Sequence, residues 1–295
     1  MYKSTYEAVA DGKGTWLKTN FHIHAGVCIQ GQCGVLPFDD VIDAYIKAGY
    51  DVLSISNHDR YIPNKKEYPG IKIIDAIEYT ADPHMLLIGI NEFHNVQHQD
   101  AIKKTVKAGG FVILCHPNWQ YREYLPYKFM DTLSGYTGIE IVNGGCFSAA
   151  GSGLALDTWD YLLSQGKQTW GFGNDDFHHF HHTDRACNMI YAKSPAYTDI
   201  QKAVKDGCFY VSTGIALKEF ALEKDELYVK AGYFKGTYIK NFEYKITGFE
   251  GRVLLKTEGE SVRFRIPANE PYVRVEAAAD FGAKIYLQPV FLPSM

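Results

Sequence analysis

Residues 16–24 read WLKTNFHIH, a strand-like run that ends in two histidines one apart. Side chains two apart face the same side of an extended strand. His22 and His24 can therefore grip one ion together, although a lone His-x-His is equally a polar strand tip. The rest of the chain decides. Downstream, helical stretches such as PFDDVIDAYIKAGY (37–50), DAIKKTVKAGG (100–110), LDTWDYLLSQGK (156–167) and AYTDIQKAVKDG (196–207) alternate with short apolar runs. Those runs are DVLSIS (51–56), IKIIDAIE (71–78), HMLLIGI (84–90), FVILCHP (111–117), GIEIVNGG (138–145) and TWGFG (169–173). Strand–helix alternation predicts a mainly parallel α/β architecture.

Polar residues collect where these runs end. SNHD (56–59) follows the second, Glu78 closes the third, His116 follows VILC, and GNDDFH (173–178) follows TWGF. In a closed α/β barrel the C-terminal strand ends share one mouth, where active sites form. The expectation is thus a mouth lined with imidazoles and carboxylates, donors suited to zinc, manganese or iron. Such a cluster polarises a phosphoryl or carbonyl oxygen and brings a bound water's pKa to about 7.

From about residue 216 the pattern changes. No histidine, tryptophan or cysteine occurs there, and short alternating segments such as ELYVKAGY (226–233), NFEYKITGF (241–249), YVRVEAAAD (272–280) and KIYLQPVFL (284–292) follow one another across turn residues. These predict a small antiparallel, sandwich-like domain over 216–295, after an α/β domain over 1–215.

Composition narrows the function classes. A 46% hydrophobic, 14% aromatic chain of 295 residues is globular, and a net charge of −4 without a basic cluster disfavours a nucleic-acid polymer as partner. The first residues lack the apolar core of a signal peptide and no run is long enough to span a bilayer, so a cytoplasmic, non-membrane protein with reduced cysteines is expected. Cys28 and Cys33 form a C-x4-C pair with no second pair nearby to complete a structural zinc site.

The ordered set His22/His24, SNHD, Glu78, CHP with His116, and DFH with Asp176 and His178 resembles the PHP family, named for polymerase and histidinol phosphatase. The resemblance covers about the first 215 residues. It implies a distorted (β/α)7-type barrel with two or three divalent ions and hydrolytic, usually phosphoester-cleaving, activity. Position by position, it implies that His22, His24 and Asp176 bind one ion, which Glu78 bridges to a second held by His84 and His116. His58 and His178 are left for a third ion or the substrate phosphate. Asn57 stands where the family has aspartate, and AGVCIQGQCG (25–34) lacks a further histidine, so a two-metal centre is as compatible as a three-metal one. The tail, CFYVSTGIAL (208–217) through AKIYLQPVF (283–291), is similar to a PHP subgroup with a C-terminal β module, some members of which resemble carbamate or ester hydrolases. Such a module covers part of the mouth or makes contacts in a homo-oligomer.

The leading expectation is a phosphoesterase for a small phosphorylated molecule, with Asp176 and His178 at the reacting centre and Arg60 and Arg185 as phosphate clamps. Carbamate, ester or amide hydrolysis, and metal binding without turnover, are the alternatives. Asp175 is expected to orient a histidine. Glu140 is expected to have a structural hydrogen-bond role, Asn143 to meet substrate, and His94, His98, His179, His181 and His182 to be exposed.

Overall fold

The computed structural model describes residues 2, 4–26, 34–63, 66–119, 125–235 and 241–292. Cys28 and Cys33, with most of the loop after His24, lie outside the described residues.

A short helix, α1 (Glu7–Ala10), precedes β1 (Thr15–Asn20), α2 (Phe38–Lys47), β2 (Val52–Ile55), β3 (Lys72–Tyr79), β4 (Met85–Ile88), α3 (His98–Lys107) and β5 (Phe111–Leu114). Then come α4 (Tyr127–Thr132), β6 (Gly138–Asn143), α5 (Leu156–Ser164), β7 (Trp170–Asn174), β8 (Cys187–Ala192), α6 (Tyr197–Lys205) and β9 (Phe209–Ser212). Helix α2 shows why these segments form. Pro37 precedes it, Asp39 and Asp40 sit in its first turn and Lys47 in its last, matching the helix dipole. Val41, Ile42 and Tyr45 form its buried face, and Gly49, at φ +78°, ends it in a conformation other residues resist.

Strands β2, β4, β5, β6 and β7 are buried along their whole length, as central strands covered on both faces must be. Pairing is parallel for β1–β2–β3 and for β5–β6–β7, but β4 runs antiparallel to both β3 and β5. The expected parallel order fails there for a simple reason. Residues 80–84 form a hairpin-length connection, far too short for a crossover to a parallel strand. Strand β8 was not legible as a strand in the sequence, and it pairs antiparallel with β1 and β9.

The closed barrel is also corrected: the sheet order runs from β8 and β1 through β7 without a ladder joining β7 back to β1 or β8. Side-chain amides span that seam. Asn188 donates to Gly173 O (2.8 Å) and accepts from Gly173 N (3.0 Å), and Asn174 Oδ1 accepts from Phe21 N (3.0 Å). One parallel bridge, Ile23–Phe177, completes it. Gly173 must be glycine here, because a Cβ would lie 2.3 Å from Val211 Cγ1 on β9.

The remaining strands are β10 (Ile215–Glu223), β11 (Glu226–Tyr233), β12 (Phe242–Thr247), β13 (Val253–Gly259), β14 (Val262–Arg265), β15 (Tyr272–Ala278), β16 (Lys284–Leu287) and β17 (Val290–Phe291). β10–β11–β14 form a three-stranded antiparallel sheet, whereas β13–β12–β15–β16 continue the large sheet through β16–β9. The two share a core that joins Leu227 and Val229 to Tyr244, Ile246 and Val275. Two buried polar clamps tie these strands to the α/β part. Gln288 brackets Gly171 N (2.9 Å) and O (2.7 Å), and Arg274 grips Asp160 of α5 at 2.7 and 2.6 Å. Gly171 lies near the start of β7, so the clamp sits at the end away from Asp176. Among the described residues no helix is long and apolar enough to cross a membrane.

Candidate metal centre

One end of the sheet gathers the histidines. Beyond β1, His22 and His24 flank Ile23, whose backbone bridge to Phe177 keeps the segment extended, so both imidazoles lie on one side. β2 leads to His58, which pairs in register with Glu78 of β3. Because β4 is antiparallel, its first end meets the last end of β3, and this brings His84 to the same mouth. β5 leads to His116, and β7 leads to Asp176 and His178. Every residue expected from the sequence as a metal ligand is therefore in one cluster.

The spacings within it are informative. Glu78 Oε2 lies 3.2 Å from His22 Nε2, 3.3 Å from His24 Nε2 and 2.9 Å from His58 Nδ1. Asp176 Oδ1 lies 3.3 Å from both His22 Nε2 and His24 Nε2. Ligand bonds of 2.0–2.1 Å in tetrahedral array put neighbouring donor atoms about 3.3 Å apart. Four edges of such a shell are thus already present. The other carboxylate oxygen, Glu78 Oε1, faces His84 Nδ1 at 2.9 Å and His116 Nε2 at 3.5 Å. A second set, His24, His58 and His178, also brings its nitrogens within 4.8 Å of one another.

The fit to a cation rests on more than proximity. His22 Nε2, His58 Nδ1 and Glu78 Oε2 are buried and have no aligned hydrogen-bond partner among the described residues, although they are about hydrogen-bond distance apart. Buried polar atoms without partners are costly. Lone pairs aimed at a common point rather than at each other are what a shared ion requires.

Charge within the cluster is unevenly held. Burial disfavours a charged His22, but Asp176, Glu140 and Glu78 outweigh it and hold its pKa well above the ordinary value. His24 is driven the opposite way: burial takes it down to about 3 against its bond to Asp176. Burial also opposes ionisation of Glu78 and Asp176, yet the facing histidines, His22 foremost, hold both well below the usual carboxylate range. For His84, burial lowers the pKa and the Glu78 bond raises it, with a net rise. Two site residues, His116 (φ +27°) and Asp176 (φ +47°), occupy the left-handed region, as does Asp59 (φ +47°) beside His58. Such strain concentrates at functional sites.

Several supporting residues differ from expectation. Asp175 orients no histidine. It receives Tyr45 Oη (2.7 Å) and the backbone N–H groups of Asp184, Arg185 and Ala186, so it shapes the turn before β8. Burial pushes its pKa up to about 7, against the Ala186 and Tyr45 bonds. The carboxylate on a histidine is instead Glu140, 2.8 Å from His22 Nδ1. Asn143 is buried and spends its amide on Glu140, Asp176 and Cys146 rather than facing substrate. His182 is buried, not exposed, because its Nδ1 accepts from His178 N at 3.2 Å. Among its neighbours, His179 and His181 are exposed. His98 is half-buried, its Nε2 near the carbonyls of Ala81 and Pro83.

Asn57 now has a reason to differ from aspartate. Its Oδ1 accepts from Ala25 N (3.1 Å) and its Nδ2 donates to Ala25 O (2.9 Å), a pairing a carboxylate cannot make. Arg60 is exposed. Arg185 is largely committed, with Nε on His181 O and Nη1 on Gly144 O.

Two neighbours were not foreseen. Cys115 Sγ falls within the His22–Glu78 group, and burial, reinforced by Glu140 and Glu78, raises the pKa of its thiol. Trp119 sets its ring edge-on to His116 and His84.

The whole architecture matches a solved two-domain protein from Bacteroides vulgatus, described as containing a predicted PHP-like metal-dependent phosphoesterase. The match has a TM-score of 0.52 at 18% identity and covers 90% of this chain and 91% of that one. The fold is PHP-like. This PHP-like fold also aligns with the lesion-specific endonuclease PfuEndoQ of Pyrococcus furiosus (TM-score 0.46, 15% identity, 64% of this chain, 56% of that one). PsfC of Pseudomonas syringae aligns similarly (TM-score 0.46, 10% identity, 64% and 87%). No family model matches the chain, and no curated protein does.

Proposed function

We propose that the chain is a metal-dependent phosphoesterase for a small phosphorylated molecule. The observation that carries this reading is Glu78: one buried carboxylate offers Oε2 to His22, His24 and His58 and Oε1 to His84 and His116. In this reading His22, His24 and Asp176 hold one ion, Glu78 bridges it to a second held by His84 and His116, and His58 with His178 serves a third ion or the substrate phosphate. Zinc, manganese or iron bound there supplies Lewis-acid polarisation of a phosphoryl oxygen and a water acidified to a pKa of about 7.

The side chains do the rest. Asn143 on Asp176 Oδ2 leaves Oδ1 for the site. His178 Nδ1 lies 3.0 Å from Asp176 O, which fixes the ring and leaves Nε2 to meet the phosphate or hand a proton to the leaving group. Arg60 and the Nη2 of Arg185 are the guanidinium groups assigned to phosphate oxygens. All these residues lie within 1–215, and the β domain, 216–295, is assigned the part of a buttress to α5 and β7. The four cysteines among the described residues (Cys115, Cys146, Cys187 and Cys208) are buried and free, which suits a reducing, cytoplasmic setting. The neighbour's description as containing a predicted PHP-like metal-dependent phosphoesterase supports the choice of bond.

The test is metal content by elemental analysis of chain purified without chelator or affinity tag, followed by a substrate screen. Two or three equivalents, diminished in His22→Ala and Asp176→Ala, with phosphate released from monoesters by the parent alone, supports the proposal. Cleavage confined to carboxyl esters, carbamates or oligonucleotides replaces the substrate class. Metal without any turnover leaves a binding module, and no metal after incubation with each ion overturns the reading.

A further inference from the structure

Glu140 lies inside β6, a strand otherwise lined by apolar residues and asparagine, and is 1% exposed. Its carboxylate is fully used. Oε1 meets His22 Nδ1 (2.8 Å) and accepts from Asn174 Nδ2 (2.9 Å), while Oε2 accepts from His116 N (2.9 Å) and Asn143 Nδ2 (2.8 Å). An ionised carboxylate offers about four acceptor positions. None remains for an ion, so Glu140 is no ligand itself.

The partners leave no freedom in how these bonds are oriented. His116 N is a backbone donor at a left-handed residue. Asn174 Oδ1 already accepts from Phe21 N and Asn188 Nδ2, so only its Nδ2 can face Glu140. Asn143 Oδ1 likewise accepts from Cys146 N, which turns Nδ2 toward Glu140 and Asp176. With a carboxylate opposite, His22 must carry hydrogen on Nδ1. Its other nitrogen, Nε2, is the one that faces Glu78 and Asp176.

We propose that Glu140 is the positioning residue of this centre, selecting the Nδ1–H form of His22 with one oxygen and pinning His116 with the other. The inference rests on the metal reading above and adds the residue that makes both halves competent together. Glutamine at 140 keeps the shape but replaces one acceptor by a donor. Turned toward His22, that donor forces the ring to accept at Nδ1 and to carry hydrogen on Nε2, inside the cluster. Turned the other way, it opposes the His116 N–H. The first arrangement removes His22 Nε2 from metal service, and the second loosens the turn that carries His116.

The test uses Zn2+ and the full chain labelled with 15N-histidine. In the zinc-loaded parent, the resonance that vanishes in His22→Gln should report a protonated Nδ1 and a metal-bound Nε2. Competition with a chromogenic chelator should show zinc held roughly 10–100-fold more weakly by Glu140→Gln, the range for removing a carboxylate behind a ligating histidine. A Glu140 that only filled space would lower the unfolding midpoint without changing which nitrogen carries the proton. Unchanged zinc affinity in Glu140→Gln overturns the inference, as does a parent His22 protonated on Nε2. The second measurement needs no variant and stands even where Glu140→Gln does not fold. A parent that binds no zinc instead brings down the metal reading, and the two failures are distinguishable.

Discussion

Binding of the first ion should release a single proton, and that proton should come from His22. In the metal-free cluster Asp176, Glu140 and Glu78 keep His22 protonated above its ordinary range, whereas His24, at about 3, is already neutral. Glu78 and Asp176 are already ionised. A ligating nitrogen must be bare, so only the His22 Nε2 proton has to leave. Each pH unit below the folded pKa of His22 therefore costs about 1.36 kcal/mol of binding, a factor of about ten. Zinc affinity should rise about tenfold between about pH 6 and about pH 7, with His84, also raised, adding a proton for the second ion. Calorimetric titration in two buffers of different ionisation enthalpy counts the protons directly. The folded-state linkage has the opposite sign. Because His22 is raised, its contribution to metal-free stability is complete below about pH 6.5 and is lost as pH climbs through the folded value. Glu78 and Asp176, being depressed, contribute above about pH 4.5 and lose that contribution on acidification. His24, depressed to about 3, works against acid, because below about pH 6.5 the unfolded chain binds a proton there that the folded chain does not. The metal-free chain should thus be most stable near about pH 6.5, and zinc should move the optimum upward. A first binding step with no pH dependence across that window would refute the reasoning.

Two further substitutions test the supports. Arg274→Met strips Asp160 of both its guanidinium bonds and Glu276 of one, leaving the buried carboxylates, among the described residues, with Tyr272 and Lys245. Breaking such a network should cost about 3–5 kcal/mol in urea unfolding, and a loss under about 1 kcal/mol would show that the clamp between α5 and β15 is dispensable. Asn57→Asp removes the donor to Ala25 O, so the chain in chelator should lose about 1–3 kcal/mol of stability. An unchanged midpoint would mean that the Ala25 pairing does not decide the residue at 57.

How much of this was legible in sequence depends on whether a feature is local. The strand-end histidines, Glu78 and Asp176 could be found because each follows an apolar run. His84 entered only through the family resemblance, because it precedes its strand rather than following it; that strand is antiparallel, as the short 80–84 connection already implied. The seam across β7 and β8 was not legible, since Asn174 and Asn188 resemble ordinary polar residues until tertiary structure sets them 3.1 Å apart. Asp175 and Glu140 show the limit most clearly. Both are acidic and near a strand end, yet one serves a turn and the other a histidine ring.

A physical cue separated them, and it applies equally to Glu78. A carboxylate embedded within an apolar strand cannot be solvated there, so its presence demands fixed partners. Glu78 in IKIIDAIE and Glu140 in GIEIVNGG meet that condition in the same way, whereas Asp175 lies in a polar run, NDDFH. The two buried strand glutamates divide the work. Glu78 keeps Oε2 without an aligned hydrogen bond among the described residues, while Glu140 has both oxygens filled by donors. That asymmetry, an open acceptor on one and none on the other, makes Glu78 the candidate bridge between ions and Glu140 the brace behind the ligands.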